Sequence, residues 1–450
     1  MTAASPGDQA RVTKARRDGL LLLLLGSIIF VFLGVALENN AQAPSADFRA
    51  LYYPARCLLH NSDLYLVADV APIYEADSSH FPTDDWKNRE IATRNVYPPT
   101  AFTVMLPFAA LPWAPAHILW TVLTVAGVLA ASFLIWHLNA DYAPLACGAL
   151  IGLFLINSEL LIIAGNAAGI VVSLCVVAVC CFLRGRFAAL GILCLAVSLT
   201  IKPQETGLVW LYFLLAGGVY RRRALQTLLV AVAVSLPGVL WVWHVSPHWL
   251  SEWHANLAAF SVHGAMNDPG PASSGGHGLA MVISLQAFLS VLRDDPRFYN
   301  LGSYLICAPL LIVWAIVTLR SRATADKAWF ALAPIAAITM LPVYHRQYDA
   351  KLLLLTVPAC VMLLAERGLV GKWAAIVTIM GLAFTGDLTW AVILGVLNHL
   401  SLPSTGFAGQ MLIVLQMWPP PLMLLAMGVF YLWVYARRAP GRTAEENASR

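Results

Sequence analysis

Apolar segments long enough to cross a lipid bilayer recur along almost the whole chain. The first runs from Gly19 to Leu37 without a charged residue. Hydrophobic residues make up 59% of the 450 residues and charged residues only 12%, which is about half the charged share of a soluble protein. This composition excludes a water-soluble or a disordered protein. Because the runs are continuous and do not alternate with polar residues, the sequence predicts an all-α, polytopic transmembrane helical bundle.

Basic residues cluster in short segments between the apolar runs, a pattern typical of cytoplasmic connections. Residues 1–18 and 437–450 carry such clusters and are predicted to be cytoplasmic tails of a transmembrane domain at residues 19–436. This arrangement predicts about 12 crossings and a multi-pass protein of the bacterial cytoplasmic (inner) membrane. The net charge of +4 reflects these clusters and does not indicate a nucleic-acid partner.

One apolar stretch in the first half of the chain is predicted not to cross. Four such stretches lie between Tyr97 and Arg184, yet these two ends are predicted to face opposite sides. An even number of crossings cannot connect opposite sides. Ala143–Ala164 is interrupted by polar residues at Asn157–Glu159, and it is predicted to be a re-entrant pair of half-helices covered by other helices.

The unusual polar segments all fall on the predicted outer face. Residues 38–97 form a large first extracytoplasmic loop that holds nine of the 24 acidic residues. A second external loop is predicted at residues 244–300. The cytoplasmic connections contain no P-loop, GxGxxG or EF-hand pattern. The sequence therefore predicts a functional site on the outer face and none for nucleotides inside.

Asp47 is the candidate general base. It stands about ten residues past the first apolar run, where partial desolvation would raise its basicity. A solvated loop acid or a helix N-cap is the alternative interpretation. Four residues that follow it are predicted to line a substrate: Arg49, Tyr52, Tyr53 and Arg56.

Lys202 stands among apolar residues at the predicted turn of a helical hairpin. A lysine at this depth is costly and is usually functional or paired. It could hold a lipid phosphate as a point charge; snorkelling to the interface or an ion pair with Glu205 is the alternative. Gln204 beside it, Tyr97 before the second helix and Asn166 in mid-chain are predicted to line the substrate.

A third polar segment, Tyr344–Asp349, separates two apolar helices. With its cations it is a candidate phosphate-binding patch, in which His345 and Arg346 join Lys202. Gln347 and Tyr348 are predicted to line the substrate. A solvated loop with interfacial tyrosines is the alternative.

The order of these motifs resembles the polytopic GT-C glycosyltransferases of family 87. The resemblance covers roughly residues 47–349, and each motif is short. This chain has Gly165-Asn166-Ala167-Ala168 where the family commonly shows Gly-Gln-x-Asn. The motifs that carry the resemblance are Asp47-Phe48 with Tyr52-Tyr53, Tyr97-Pro98-Pro99, Gly165-Asn166, Lys202-Pro203, and Tyr344-His345 with Gln347-Tyr348-Asp349.

The resemblance implies a GT-C-like catalytic domain that uses a polyprenyl-phosphate sugar as donor. It further implies a glycolipid or glycan acceptor, contact with membrane lipids, and inverting transfer of a hexose on the outer face. The family includes the mycobacterial mannosyltransferase that acts on phosphatidylinositol mannosides, so mannose is the expected sugar. Asp47 matches the acidic position of the reaction centre, and His345 would be the outer-face histidine. No cofactor and no divalent metal are expected.

A secondary transporter or lipid flippase is the alternative function. It predicts inverted repeats and ionisable residues near the bilayer midplane. The sequence shows no clear repeat, and its unusual polar residues gather at the predicted outer face. A scaffold subunit without chemistry is a third interpretation.

Overall fold

The computed structural model describes residues 6–41, 44–77, 86–273, 281–322, 324–399 and 406–438. The remaining parts of the predicted tails and external loops lie outside the described residues. Within the described part the chain is almost entirely α-helical and has no β-strand, only a single antiparallel bridge between Val282 and Arg346. A helix satisfies its own backbone hydrogen bonds, which an apolar chain in a bilayer requires.

The described residues form 21 α-helices. Two 3-10 segments accompany them, at Pro99–Ala101 and Gln347–Thr356. The helices up to the mid-chain are α1 Pro6–Asn39, α2 Ala46–Leu59, α3 Val67–Asp77, α4 Trp86–Thr93, α5 Phe102–Ala109, α6 Trp113–Asn139, α7 Pro144–Leu155, α8 Leu160–Ile163, α9 Ala168–Arg184, α10 Ala188–Ile201 and α11 Pro203–Ala216. The later helices are α12 Gly218–Val245, α13 Trp249–Ser261, α14 Leu285–Leu292, α15 Pro296–Arg320, α16 Ala325–Ile338, α17 Val357–Ala365, α18 Leu369–Phe384, α19 Asp387–His399, α20 Gly406–Met417 and α21 Pro419–Arg438.

Seven helical segments of the described chain are long and apolar enough to cross a membrane, or eight if one bent pair counts as a span. That pair is α18 with the first part of α19, bent by 64°. Three shorter apolar helices accompany them, at Pro99–Ala109, Ala168–Arg184 and Ala188–Ile201. The predicted all-α, polytopic membrane architecture is confirmed, while the predicted number of about 12 crossings stays a prediction.

Glycines allow α1 to lie directly against α7 and α8. Gly19 contacts the backbone of Pro144 at one end, and Gly34 contacts Ile162 at the other. Small residues permit such close approach of membrane helices. Because a later residue of α1 contacts a later residue of the segment 143–164, this segment runs parallel to the continuous helix α1. The prediction of a re-entrant pair at residues 143–164 is therefore wrong: the polar break does not turn the chain back.

Helix bounds differ from the predicted loop bounds at two places. The helix α1 already includes Pro6, the first described residue, so the predicted tail continues the apolar helix over residues 6–18; Arg, Lys and Gln are good helix formers. α15 begins at Pro296, inside the predicted loop at residues 244–300, where Asp295 caps it by accepting a hydrogen bond from the Arg297 amide.

In the predicted first external loop, the described residues form a layer of helices α2, α3 and α4, whose aromatic side chains pack against rings of α5 and α6. Phe48 stacks on Trp120 with ring centroids 4.8 Å apart, which fixes the start of α2 on α6. Such aromatic pairs add stabilisation beyond their buried area. Hydrogen bonds bring the start of α2, the α8–α9 junction, the α10–α11 break and the start of the 3-10 helix Gln347–Thr356 together.

Candidate active site

Four side chains from four distant segments form one continuous polar network. The Asn166 side-chain Nδ2 donates a hydrogen bond to Asp47 Oδ2 at 2.8 Å, and its Oδ1 accepts one from Lys202 Nζ at 3.1 Å. Lys202 Nζ also lies 2.5 Å from Asp349 Oδ1. The network joins the start of α2, the α8–α9 junction, the α10–α11 break and the start of the 3-10 helix Gln347–Thr356.

Backbone hydrogen bonds hold Asp47 at the start of α2. The Ser45 amide donates to the Ile163 carbonyl at 2.8 Å, and the Asp47 amide donates to the Ala164 carbonyl at 2.9 Å. The carboxylate therefore sits in the first helical turn, where the helix dipole favours a negative charge. Its position is set by the end of α8 as much as by α2 itself.

Gly165 makes the approach of Asn166 to Asp47 possible. Its φ is +62°, and a Cβ there would lie 2.9 Å from Phe48 Cβ and 3.1 Å from Ser45 Cβ. Its carbonyl accepts a hydrogen bond from Trp120 Nε1 at 2.8 Å. Only glycine combines the left-handed backbone with this close contact, which explains the Gly-Asn pair in physical terms.

Lys202 is the single residue between α10 and α11. The following Pro203 starts α11 and disfavours helical backbone at Lys202, which breaks the helix there. The lysine is 7% exposed. Besides Asp349 it lies 3.6 Å from Glu205 Oε2, and its ammonium stands 5.1 Å from the ring centroid of Tyr348. The alternative ion pair with Glu205 thus exists, but Asp349 is the closer partner.

The segment before the 3-10 helix is held in place through Arg346. Its amide donates to Asp349 Oδ2 at 2.9 Å, and its guanidinium donates to the Tyr344 hydroxyl. The guanidinium also donates to the Met266 carbonyl at 2.7 Å. Arg346 is 7% exposed, so this cation is buried, and it binds Met266 of the predicted second external loop.

His345 lies in the same segment and is 1% exposed. Its Nδ1 is 3.1 Å from the Val343 carbonyl, whereas the buried Nε2 has no hydrogen-bond partner among the described residues. Desolvation lowers the pKa of His345 below its usual value, despite the nearby charge of Asp349. Gln347 adds a second buried atom without a described partner, its Nε2.

Asp47 is the half-buried carboxylate of the network. Desolvation raises the pKa of Asp47 above its ordinary value, and Asp349 adds to this effect. The hydrogen bond from Asn166 and the charges of Arg346 and Lys202 oppose part of it. A carboxylate with a raised pKa is a stronger base than one in water. Tyr97 stands near the same charges, and burial raises its pKa as well.

Four predicted substrate-lining residues of α2 point away from the network. Because residues two apart face different sides of a helix, Arg49 does not follow Asp47; it lies 5.7 Å from the ring of Trp113. Tyr52 and Arg56 donate hydrogen bonds to the carbonyl of Leu111, between α5 and α6. Tyr53 stacks on Trp113. Tyr52 and Tyr53 are part of the buried aromatic cluster of the layer of α2, α3 and α4, and Arg49 and Arg56 contact rings of that cluster.

Gln204 is exposed at the start of α11 and is not part of the network. Asp349, in contrast, is a central member of the network that the sequence motifs did not predict as a site residue. Its signal was present, since a charged residue beside an apolar run is costly unless it is paired. The same criterion singles out Lys351 and Asp387.

One group of described residues could hold a metal ion. The ligand atoms of His263, Asp268 and Asp294 all lie within 4.8 Å of one another. Both oxygens of Asp268 already accept backbone amides, from Gly264 at 2.7 Å and from Gly270 at 2.9 Å. This group lies in the predicted second external loop, and none of its three side chains belongs to the network around Asp47.

A family model gives the relationship of the chain to known proteins. The model of glycosyltransferase family 87 matches residues 95–342, which include Asn166 and Lys202. Asp47 precedes the matched region and Asp349 follows it. No curated protein and no solved structure matches the chain. The match covers more than half of the 450 residues and agrees with the all-α membrane architecture, so this protein belongs to glycosyltransferase family 87.

Proposed function

We propose that this protein transfers a hexose, with mannose expected, from a polyprenyl-phosphate sugar to a lipid-linked or glycan acceptor. The observation that carries the proposal is the connection of Asp47 to Lys202 through the single side chain of Asn166. A basic carboxylate beside buried positive charge suits a reaction in which a hydroxyl loses a proton and a phosphate departs.

In this mechanism Asp47 acts as the general base. Its Oδ2 is occupied by Asn166, while Oδ1 has no hydrogen-bond partner among the described residues. Oδ1 would accept the proton of the acceptor hydroxyl as that oxygen attacks the anomeric carbon. The bond to the donor phosphate breaks on the opposite face of the sugar, so the configuration inverts.

The departing phosphate requires positive charge and hydrogen-bond donors. Arg346 and Lys202 supply the charge in a buried setting, where electrostatic interactions are strong. The unpartnered Nε2 atoms of His345 and Gln347 supply further polar contacts. An anion beside His345 would favour its protonated form. These protein groups would neutralise the phosphate, and we propose neither a cofactor nor a divalent metal for the reaction.

The proposed site faces the extracytoplasmic side of a bacterial inner membrane, with both termini in the cytoplasm. Basic clusters of the predicted tails support this orientation. The network lies at the end of the bundle that carries the external layer of α2, α3 and α4. A lipid-linked donor would reach this end from the outer leaflet.

Transfer by the full-length protein in lipid nanodiscs tests the proposal. Radiolabelled polyprenyl-phosphate mannose, polyprenyl-phosphate glucose and a nucleotide-linked mannose are offered with a panel of glycolipid acceptors. The proposal predicts a labelled glycolipid and free polyprenyl phosphate from one polyprenyl donor, and no product from the nucleotide sugar. Transfer from the nucleotide sugar alone would contradict it.

The transporter alternative is also tested, because ionisable residues such as Lys351 and Asp387 lie inside the apolar bundle. The protein is reconstituted in vesicles with a fluorescent polyprenyl phosphate. Movement of this lipid between leaflets without any glycosyl transfer would favour a flippase. Transfer without lipid movement would favour the enzyme.

A further inference from the structure

Lys351 and Asp387 form a second buried ion pair, inside the apolar bundle. Lys351 Nζ lies 3.2 Å and 3.3 Å from the two carboxylate oxygens, and the two side chains are 4% and 5% exposed. The ammonium also donates to the Asn157 carbonyl. Removing one partner of such a pair leaves an uncompensated charge and is strongly unfavourable. The pair therefore holds the 3-10 helix, which carries Lys351, against α19, which carries Asp387.

The pair lies where two interrupted helices meet. Asn157 stands in the break between α7 and α8, and Asp387 follows the 64° bend after α18. Asn157 Oδ1 accepts hydrogen bonds from the Thr389 amide and hydroxyl, both at 3.1 Å. Gly386 contacts the Asn157 side chain so closely that a Cβ would overlap it. The two breaks therefore form one rigid junction.

This junction is connected to Asp47 through α8. Asp387 Oδ2 accepts a hydrogen bond from the Leu160 amide, the first residue of α8, at 2.9 Å. The other end of this single helical turn holds α2, since the carbonyls of Ile163 and Ala164 accept the amides of Ser45 and Asp47. One rigid turn thus separates the ion pair from the candidate base.

The same pair is connected to Asp349 through the 3-10 helix. Gln347–Thr356 is a 10-residue 3-10 helix, although such helices rarely exceed a few residues. With three residues per turn, Asp349 and Lys351 point to different sides of it. Asp349 binds Lys202 on one side and Lys351 binds Asp387 on the other. The helix is held from both sides at its N-terminal end.

We infer that the Lys351–Asp387 ion pair positions Asp47 and Asp349 relative to each other. Lys351 and Asp387 do not touch the reacting groups. They act through α8 and the 3-10 helix. The effect on turnover rests on the proposed function, whereas the effect on the backbone of α2 does not.

Hydrogen exchange and turnover of the full-length protein in nanodiscs test this inference. The main variant combines Lys351→Met with Asp387→Asn, which removes both charges and leaves neither unpaired. Lys351→Arg keeps the charge. Tyr431→Phe is the matched control, because it removes a buried 2.6 Å hydrogen bond between Thr378 and Tyr431 elsewhere in the bundle. Exchange is followed by mass spectrometry in the peptide that contains Ser45 to Phe48.

The double variant is expected to exchange the Ser45 and Asp47 amides at least tenfold faster, with α21 unchanged. With radiolabelled polyprenyl-phosphate mannose, kcat is expected to fall at least tenfold and the donor KM to change less than threefold. Lys351→Arg should restore most of kcat. Tyr431→Phe should lower the melting temperature alone.

Unchanged exchange at Ser45 and Asp47 in the double variant would overturn the inference. The inference would also be overturned if the double variant and Tyr431→Phe lost the same melting temperature and the same fraction of kcat. If the wild-type protein transfers no sugar from the donor, the proposed function fails, and the exchange result still decides the positioning role.

Discussion

Lys202 and Asp349 form a 2.5 Å ion pair although 147 residues separate them in the chain. Each belongs to a polar segment that interrupts apolar helices, and each is the closest partner of the other's charge. The pair fixes the hairpin turn between α10 and α11 against the start of the 3-10 helix at Gln347–Thr356. It thereby brings Asn166 and Lys202 next to the segment that contains His345 and Arg346.

Charge removal tests the ion pair directly. Lys202→Met or Asp349→Asn alone is expected to lower the free energy of unfolding by about 3–5 kcal/mol, because each leaves a buried charge without its closest partner. The double variant should lose less than either single variant. Thermal and chemical unfolding in detergent measures all three. Additive losses in the double variant would contradict a direct coupling.

Substitutions of two glycines, Gly165 and Gly185, distinguish the effect of backbone strain from the effect of close contact at the site. Gly165→Ala is expected to destabilise the protein and reduce turnover, because the new Cβ meets Phe48 and Ser45. Gly185→Ala is the matched control, since its φ is +67° and nothing lies within 4 Å of a Cβ there. Gly185→Ala should cost about 1–2 kcal/mol for its backbone alone and leave turnover unchanged. Equal effects of both variants on turnover would refute the docking of Asn166 on Asp47.

The pH dependence of turnover reports on Asp47. Its carboxylate is the active form, so activity should fall as pH drops through a pKa raised by burial above that of an ordinary aspartate. Lys202, Arg346 and Asp349 are the charged groups that act on it. Asn166→Ala removes a hydrogen bond that favours the carboxylate, so the acidic limb of kcat should move to higher pH.

The limb is measured at saturating donor to separate kcat from binding. Asp47→Glu, which keeps a carboxylate, should retain an acidic limb. If the acidic limb of kcat lies at the same pH in the wild-type protein and in Asn166→Ala, the pKa of Asp47 does not determine that limb.

Chelation tests whether protein cations alone neutralise the phosphate. EDTA is expected to leave turnover within about twofold of its starting value, because Arg346 and Lys202 supply the positive charge. His263→Ala, which removes one potential ligand from the group with Asp268 and Asp294, should have no effect. Loss of turnover in EDTA that His263→Ala reproduces, with recovery on adding a divalent metal, would assign a metal to that group instead.

Much of the architecture could be predicted from the sequence, because hydrophobicity alone decides that an apolar helix needs a bilayer. The family could also be predicted, since short motifs in a fixed order carry that information without any geometry. The direction of Ala143–Ala164 could not. A polar break permits either a kink or a reversal, and the choice depends on contacts such as Gly19 with Pro144.

The site was partly predictable for the same kind of reason. Asp47, Asn166 and Lys202 stand out because polar residues beside apolar runs are costly, and the structure places them in one network. Helical periodicity already separates Arg49 from Asp47. The pairing of Asp349 with Lys202 depends on long-range packing, which no local pattern contains.

Substitution of Asp47 is the most direct test of the proposed mechanism. Asp47→Asn keeps the size of the side chain and removes the base, while Glu75→Gln removes an exposed carboxylate from the same loop. Sugar transfer from radiolabelled polyprenyl-phosphate mannose is measured for both at equal amounts of folded protein. The mechanism predicts that Asp47→Asn lowers kcat by about 10²–10⁴-fold and that Glu75→Gln retains it. Wild-type turnover in Asp47→Asn would contradict the assignment of Asp47 as the general base.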